Sequence, residues 1–305
     1  MTISILPSEP TQSFDLIIAV CGYESRARSI IGANNAIAVR KIAIGYGAME
    51  EVSFSENLAA FLANGYEFKS VNDQDFELFI EDVIRQASAD AKVPRILLDI
   101  SCMTRLRLAQ VMEALFAVGA FDVDVYYALA EYSSPSGSEP TYEYLCPVTE
   151  YLSGWTGDAS KAVAMVSGLG YEQMAAIGII EHVDPYETWL FFPQSPISEY
   201  DISVEAANDV LLQGFPESNL IKYPVLNAQA AFGKLFSLVD SLRRDYRCVI
   251  MPLGPKIFAL SAIIVGCYFR DVSIWRASAG KHTVARERVA SDLVERFRMK
   301  FSKED

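Results

Sequence analysis

Short unbroken apolar runs separated by longer segments of mixed polarity are the feature of this chain that most restricts its fold. Such runs suit parallel strands buried on both faces, and the mixed segments suit the helices that join them. The expected fold class is therefore α/β, with mainly parallel sheets. In the first half, strands are expected at 15–21, 37–44, 67–71, 95–100 and 123–128, with helices at 25–33, 50–63, 75–89 and 104–118 between them. Segment 75–89 shows the helical period: Phe76, Phe79, Ile80, Val83, Ile84 and Ala87 fall three and four apart with charges between, so one face is core.

The second half repeats the rhythm. Strands are expected near 174–180, 188–192, 220–223, 248–251 and 272–276, and helices near 203–212, 229–243 and 257–268. Between the halves, the polar stretch 132–140 reads as an exposed loop or hairpin, 142–147 as an added edge strand, and the Gly- and Ser-bearing stretch 154–161 as the domain boundary. Two Rossmann-like halves follow, 1–155 and 156–305. The last three strands of each half can be overlaid, since Val71 to Leu98 and Tyr223 to Ile250 are both steps of 27 residues. This is a weak internal repeat, because any two such units share similar spacing.

Composition enters where it excludes classes. At 305 residues there is room for two ordinary domains, and 51% hydrophobic against 21% charged residues is far from a disordered composition. A formal charge of −13 argues against coating duplex DNA or an anionic membrane, both of which need a broad cationic face. Cys21, Cys102, Cys146, Cys248 and Cys267 are odd in number and widely spaced, and there are only two histidines, so neither a disulfide framework nor a metal site is expected, and no cofactor. The first residues lack a cationic start and a long apolar run, so a cytoplasmic protein is expected. The most apolar stretch, 248–269, is interrupted by Pro252, Gly254, Pro255 and Lys256, and reads as strand, loop and buried helix.

In open parallel sheets the ligand binds beyond the carboxyl ends of the strands, so the strand-to-helix loops are the places to search. In CGYESRARS, Glu24, Arg26 and Arg28 stand at the start of a helix. Arginine pairs well with phosphate or carboxylate, so these arginines either hold an anionic ligand or pair with a carboxylate such as Glu24. In LLDISCMTRLRLAQ, Asp99 ends a strand, and Ser101, Thr104 and Arg105 open an apolar helix. Hydroxyls, helix-start amides and Arg105 there suit an anion, with Asp99 binding a ribose hydroxyl or acting as a base. The alternative is that Ser101 or Thr104 is an N-cap, Asp99 caps the turn and Arg107 is solvated. In VIMPLGPKIFALS, Gly254 allows close backbone approach, Pro255 fits a first helical turn and Lys256 is a lone charge that contacts a ligand or snorkels to solvent.

Weaker candidates are the glycines Gly45 and Gly47, which only loosely suggest a phosphate loop, the isolated His182 and His282, and Ser29 and Ser261, which lack a nucleophile elbow. The basic segment 276–288 either lines a cleft or solvates the start of a final helix.

The D-I-S-C-M-T-R turn, Asp99 to Arg105, resembles the ligand loop of CARF domains, Rossmann-like sensors of cyclic oligonucleotides. The P-L-G-P-K segment, Pro252 to Lys256, is similar to a turn in SAVED domains, which pair two CARF-like units. That resemblance implies a nucleotide sensor in prokaryotic antiviral defence, with Ser101, Thr104, Arg105 and Lys256 on the nucleotide backbone. Where the pattern commonly has glycine, this chain has Cys102 and Met103. With both halves taken up by the Rossmann-like pattern, such a sensor would act through a protein effector or a homo-oligomer, and the two loops would face one cleft. An enzyme is the competing expectation, a hydrolase or transferase with Asp99 or Glu24 as general base or nucleophile on a phosphorylated substrate held by Arg26, Arg105 and Lys256. A structural subunit of a larger complex is the third.

Overall fold

The structure is a computed structural model that describes residues 1–8, 13–32, 36–47, 50–90, 93–135, 142, 144–172, 174–278 and 285–303. Two compact units are present: Met1–Glu131 with Val284–Asp305, and Tyr132–Thr283. The α/β class with mainly parallel sheets holds for both.

The first unit's sheet contains β1 (Thr2–Pro7), β2 (Ser13–Val20), β3 (Ile37–Gly45), β4 (Glu67–Ser70), β5 (Arg95–Asp99), β6 (Ala120–Ala130) and, from the far end of the chain, the strand Ala290–Ser302. Strands β6-β5-β2-β3-β4 run parallel in that order. The central strands are apolar on both faces, with Leu16 to Val20 and Ile96 to Leu98 essentially without solvent contact. Between the strands lie a 3-10 turn (Ser25–Arg28), α1 (Ser29–Gly32), α2 (Phe54–Ala63), α3 (Asp73–Asp90) and α4 (Arg105–Val118). Thr104 caps α4, accepting the Arg107 amide, and Gly119 ends it at a φ of 85°.

The second unit's sheet contains β7 (Tyr144–Pro147), β8 (Val163–Gly168), β9 (Glu187–Gln194), β10 (Leu220–Pro224), β11 (Arg247–Met251) and β12 (Ser273–Ser278), ordered β10-β9-β8-β11-β12-β7. All pairings are parallel except β12 with β7. Helices α5 (Ala175–Val183), α6 (Ser198–Ala207), α7 (Asp209–Gly214), α8 (Ala228–Leu242) and α9 (Lys256–Tyr268) join them. The final strand of the chain, Ala290–Ser302, is β13; it pairs antiparallel with β6 and carries β1 on its other side.

Both units therefore have one strand order. In each, the five parallel strands begin at the centre, add two to one side, cross back and add two to the other. The crossing places a switch point between β2 and β5 in the first unit and between β8 and β11 in the second, and the carboxyl ends of the strands at such points are where open parallel sheets bind their ligands. The strands overlaid by spacing, β4, β5, β6 and β10, β11, β12, occupy matching places.

Several expectations change. Segment 174–180 is not a strand but belongs to α5, where Ala175, Ala176 and Ile179 face the core at helical spacing. The central strand of that unit is β8, whose Ala164, Met165 and Val166 are fully buried. The last described element is a strand and not a helix: β13 buries Phe297, Met299 and Phe301 at a spacing of two. The division between units falls at Glu131 and Tyr132 rather than at 155, and the C-terminal segment returns to the first unit because β13 covers β6. Stretch 154–161 lies inside the second unit; Gly154, at a φ of 73°, lies against the Ser273 backbone. Segment 248–269 is β11, a turn and α9, and among the described residues no helix is long and apolar enough to cross a membrane. His282, residues 48–49, residues 136–141 and residues 279–284 of the basic segment lie outside the described residues.

Candidate functional site

The parallel pairing of β2 with β5 sets their following loops side by side on one sheet edge, at the first unit's switch point. The β2 loop, from Cys21 to Arg28, is fixed from beneath by Asn57 of α2. This asparagine is fully buried, and its Nδ2 donates to the carbonyls of Gly22 (2.9 Å) and Glu24 (2.8 Å). Gly22 then faces the Cβ of Cys102 in the neighbouring loop, and the Cys102 thiol donates to Glu24 Oε2 at 3.5 Å. Arg26 is buried, donating to Glu24 and, at 3.5 Å, to the Ala128 carbonyl. Burial works against its charge, but Cys102, Glu24 and Tyr127 outweigh it and hold the guanidinium above its usual range. Arg26 is thus a positioning group for the half-buried Glu24. Arg28 lies apart, in a surface pair with Glu56 at 2.9 Å.

The β5 loop divides into an inner and an outer part. Asp99 is buried and accepts the Ser101 amide at 2.8 Å, capping its own turn. Ser101 is buried as well, and its hydroxyl accepts the Ala128 amide at 2.8 Å, tying the loop to β6. These two shape the turn, and of the two carboxylates only Glu24 reaches toward solvent. The outer part is Thr104 and Arg105 at the start of α4, whose first-turn amides point along the helix axis toward the sheet edge. Tyr46, after β3, braces this turn: its hydroxyl donates to the Cys102 carbonyl and accepts the Thr104 amide, both at 2.9 Å. Burial pushes that phenol above its ordinary range against the opposing charge of Arg107.

Arg107, expected to be solvated, is fully buried. It donates to Asp73 (2.8 Å), the Gly45 carbonyl (2.9 Å) and the Val71 carbonyl, and its guanidinium lies between the rings of Tyr46 (3.9 Å) and Phe76 (4.6 Å). It ties together the carboxyl ends of β3 and β4 through the Gly45 and Val71 carbonyls, while Gly47, at a φ of 71°, lies against Asn72. Segment 285–289 forms another border. Glu287 accepts from the Ser25 amide and the Ser53 hydroxyl, both at 2.6 Å, and the Arg288 carbonyl accepts the Arg26 amide.

In the second unit the loops after β8 and β11 meet glycine to glycine. A Cβ on Gly170 would lie 3.2 Å from the Gly254 amide, and Gly254 has a φ of 76°. Asn208, buried, donates to the Gly170 carbonyl at 2.7 Å. Lys256, half-buried, is the first residue of α9. Ser261 is turned inward, its hydroxyl donating to the Ile257 carbonyl, and His182 is exposed on α5. Among the described residues no three His, Cys, Asp or Glu side chains group as metal ligands would.

Sequence reasoning missed Asn57, Asn208, Tyr46, Arg107 and Glu287. One signal was present: Gly-Tyr-Glu follows the first parallel strand of both units, at Gly22–Glu24 and at Gly170–Glu172. Comparison with known protein families and with curated proteins finds no match.

Proposed function

We propose that the first unit binds a nucleotide or related phosphorylated molecule at the β2–β5 switch point, in a sensor role carried onward through a protein partner. The observation that carries this reading is the locking of the two switch-point loops, Glu24 against Cys102, beside the start of α4. Glu24, oriented by Arg26, suits a sugar hydroxyl. The α4 amides, Thr104 and Arg105 suit phosphate. Cyclic oligonucleotides, implied by the resemblance of the Asp99 to Arg105 turn, belong to this class.

A thermal-shift screen of mono-, di- and cyclic nucleotides tests it. A ligand at a hundred times its Kd stabilises the native state by about 2.7 kcal/mol. Stabilisation by at least one nucleotide, lost in Arg105→Ala, is expected; no stabilisation by any of them rejects the reading. The Glu24 and Cys102 pair favours a second reading, an enzyme whose carboxylate works on the bound phosphorylated molecule, and product formation during the same incubations separates the two.

A further inference from the structure

We propose that the second unit holds a site of its own at the β8–β11 switch point, for the planar ring of a nucleobase bearing an exocyclic amino group. This rests on the nucleotide reading and adds a second, ring-directed site to the phosphate-directed one.

The two switch points are built alike. In each, the glutamate of Gly-Tyr-Glu stands four residues beyond the end of the first strand, Val20 or Gly168. In each, a buried asparagine from the helical segment after the second strand donates to the glycine carbonyl, Asn57 at 2.9 Å and Asn208 at 2.7 Å. The two glutamates face different partners. Glu24 meets Cys102, and the Glu172 carboxylate folds into the space a Cβ on Gly170 would occupy, where Gly254 also approaches.

Their surroundings differ. Beside Glu24 stands a buried arginine; beside Glu172 stands a row of tyrosines. The Tyr171 ring lies 5.7 Å from that of Tyr200, which lies 5.3 Å from that of Tyr132. All three are half-buried, and the Tyr132 hydroxyl is bonded to Ser203 at 2.7 Å, which fixes the row. Tyr171 and Trp275 pack against the same apolar core as Leu169 and Leu253, the residues flanking the two glycines. Tyr200 stands edge-on to Tyr132 at 87° and tilted to Tyr171 at 37°, so the cluster braces the Tyr171 ring for a flat heterocycle to stack on, as in sequence-tolerant base sites. The exposed Glu172 carboxylate accepts from an amino group of that heterocycle, and Lys256, the first residue of α9, stands two residues beyond Gly254. Phosphate is not needed for this contact.

The test is calorimetric titration of the intact chain with adenosine, guanosine and cytidine, which carry an amino group and no phosphate, and with inosine, which lacks the amino group. At least one of the first three is expected to bind with one equivalent, more tightly than inosine. Tyr171→Ala weakens it about tenfold or more, Tyr171→Phe retains it, and Arg105→Ala leaves it unchanged. Should Tyr171→Ala fail to fold, Glu172→Ala, which removes the acceptor at an exposed position, lowers the affinity of the amino-bearing nucleosides to that of inosine. Nucleotide binding without nucleoside binding, or nucleoside binding that follows Arg105 instead of Tyr171 and Glu172, overturns the ring site and leaves the nucleotide reading standing. Nucleoside binding that follows Tyr171, with no added effect of phosphate, does the reverse.

Discussion

Arg107 and Arg28 carry the same charge in neighbouring elements, and their surroundings give them different weight. Replacing Arg107 by alanine leaves the Gly45 and Val71 carbonyls without their donor, a loss on the order of 1–3 kcal/mol for each, while the half-exposed Asp73 turns to water. Arg28→Ala removes only a surface pair and changes stability by about 1 kcal/mol or less. Urea unfolding of the two variants checks the contrast, and equal midpoints would contradict it. The cysteines divide in the same way. Burial, with Glu50 adding to it, pushes the Cys21 thiol up to about 12, and burial with Asp271 nearby does the same for Cys248. Because both folded values are raised, their contribution to stability is complete below the ordinary thiol value of 9.0 and is lost as pH rises through about 12. At pH 8 the native chain should therefore expose only the half-buried Cys102 and Cys146 to a thiol reagent, and rapid labelling of Cys21 or Cys248 would contradict the burial.

Among the elements, the glycines separate loops built for close approach from helices that merely tolerate them. Gly254→Ala forces a side chain onto the Leu169 carbonyl at positive φ and should cost about 1–3 kcal/mol. Gly178, inside α5 with open space around it, should gain about 0.5–1 kcal/mol on replacement by alanine. Thermal unfolding tests both signs. Elements were legible in the sequence where one period dominated, as in α3, or where a run was apolar on both faces, as in β2 and β5. Segment 174–180 was not, because a short run of alanine and isoleucine has no period that separates helix from strand. β13 was hidden by its charges: Arg296, Arg298 and Lys300 alternate with the inward Phe297, Met299 and Phe301, and Arg298 is itself buried in a pair with Asp122. The loop positions of the site were legible from the order of strand and helix. The roles of Arg107, Asp99 and Ser101 were not, because they depend on carbonyls and amides from β3, β4 and β6 that no local spacing brings together.

For the whole molecule, the sequence of the second unit is inserted between two strands of the first, β6 and β13, that pair with each other. Ala130 of β6 and Ala290 of β13 are register partners, and the Glu131 amide donates to the Val289 carbonyl, so the ends of the first unit meet as a hairpin would. A fragment ending at residue 155 leaves the β6 edge uncovered along its length and should aggregate. Deleting 132–283 and closing the gap with a short turn should give a folded, monomeric unit. Size-exclusion chromatography and circular dichroism of the two fragments check this, and a soluble, folded 1–155 fragment would contradict the role of β13.

The central claim is that the start of α4, not the charged surface in general, receives the ligand's phosphate. Calorimetric titration of the most stabilising nucleotide into the wild type, Arg105→Ala and Arg28→Ala measures this directly. Loss of a charged contact to a ligand costs about 2 kcal/mol or more, so Arg105→Ala should weaken binding at least about thirtyfold while Arg28→Ala leaves it unchanged. Equal losses in both variants, or no loss in Arg105→Ala, would contradict the account.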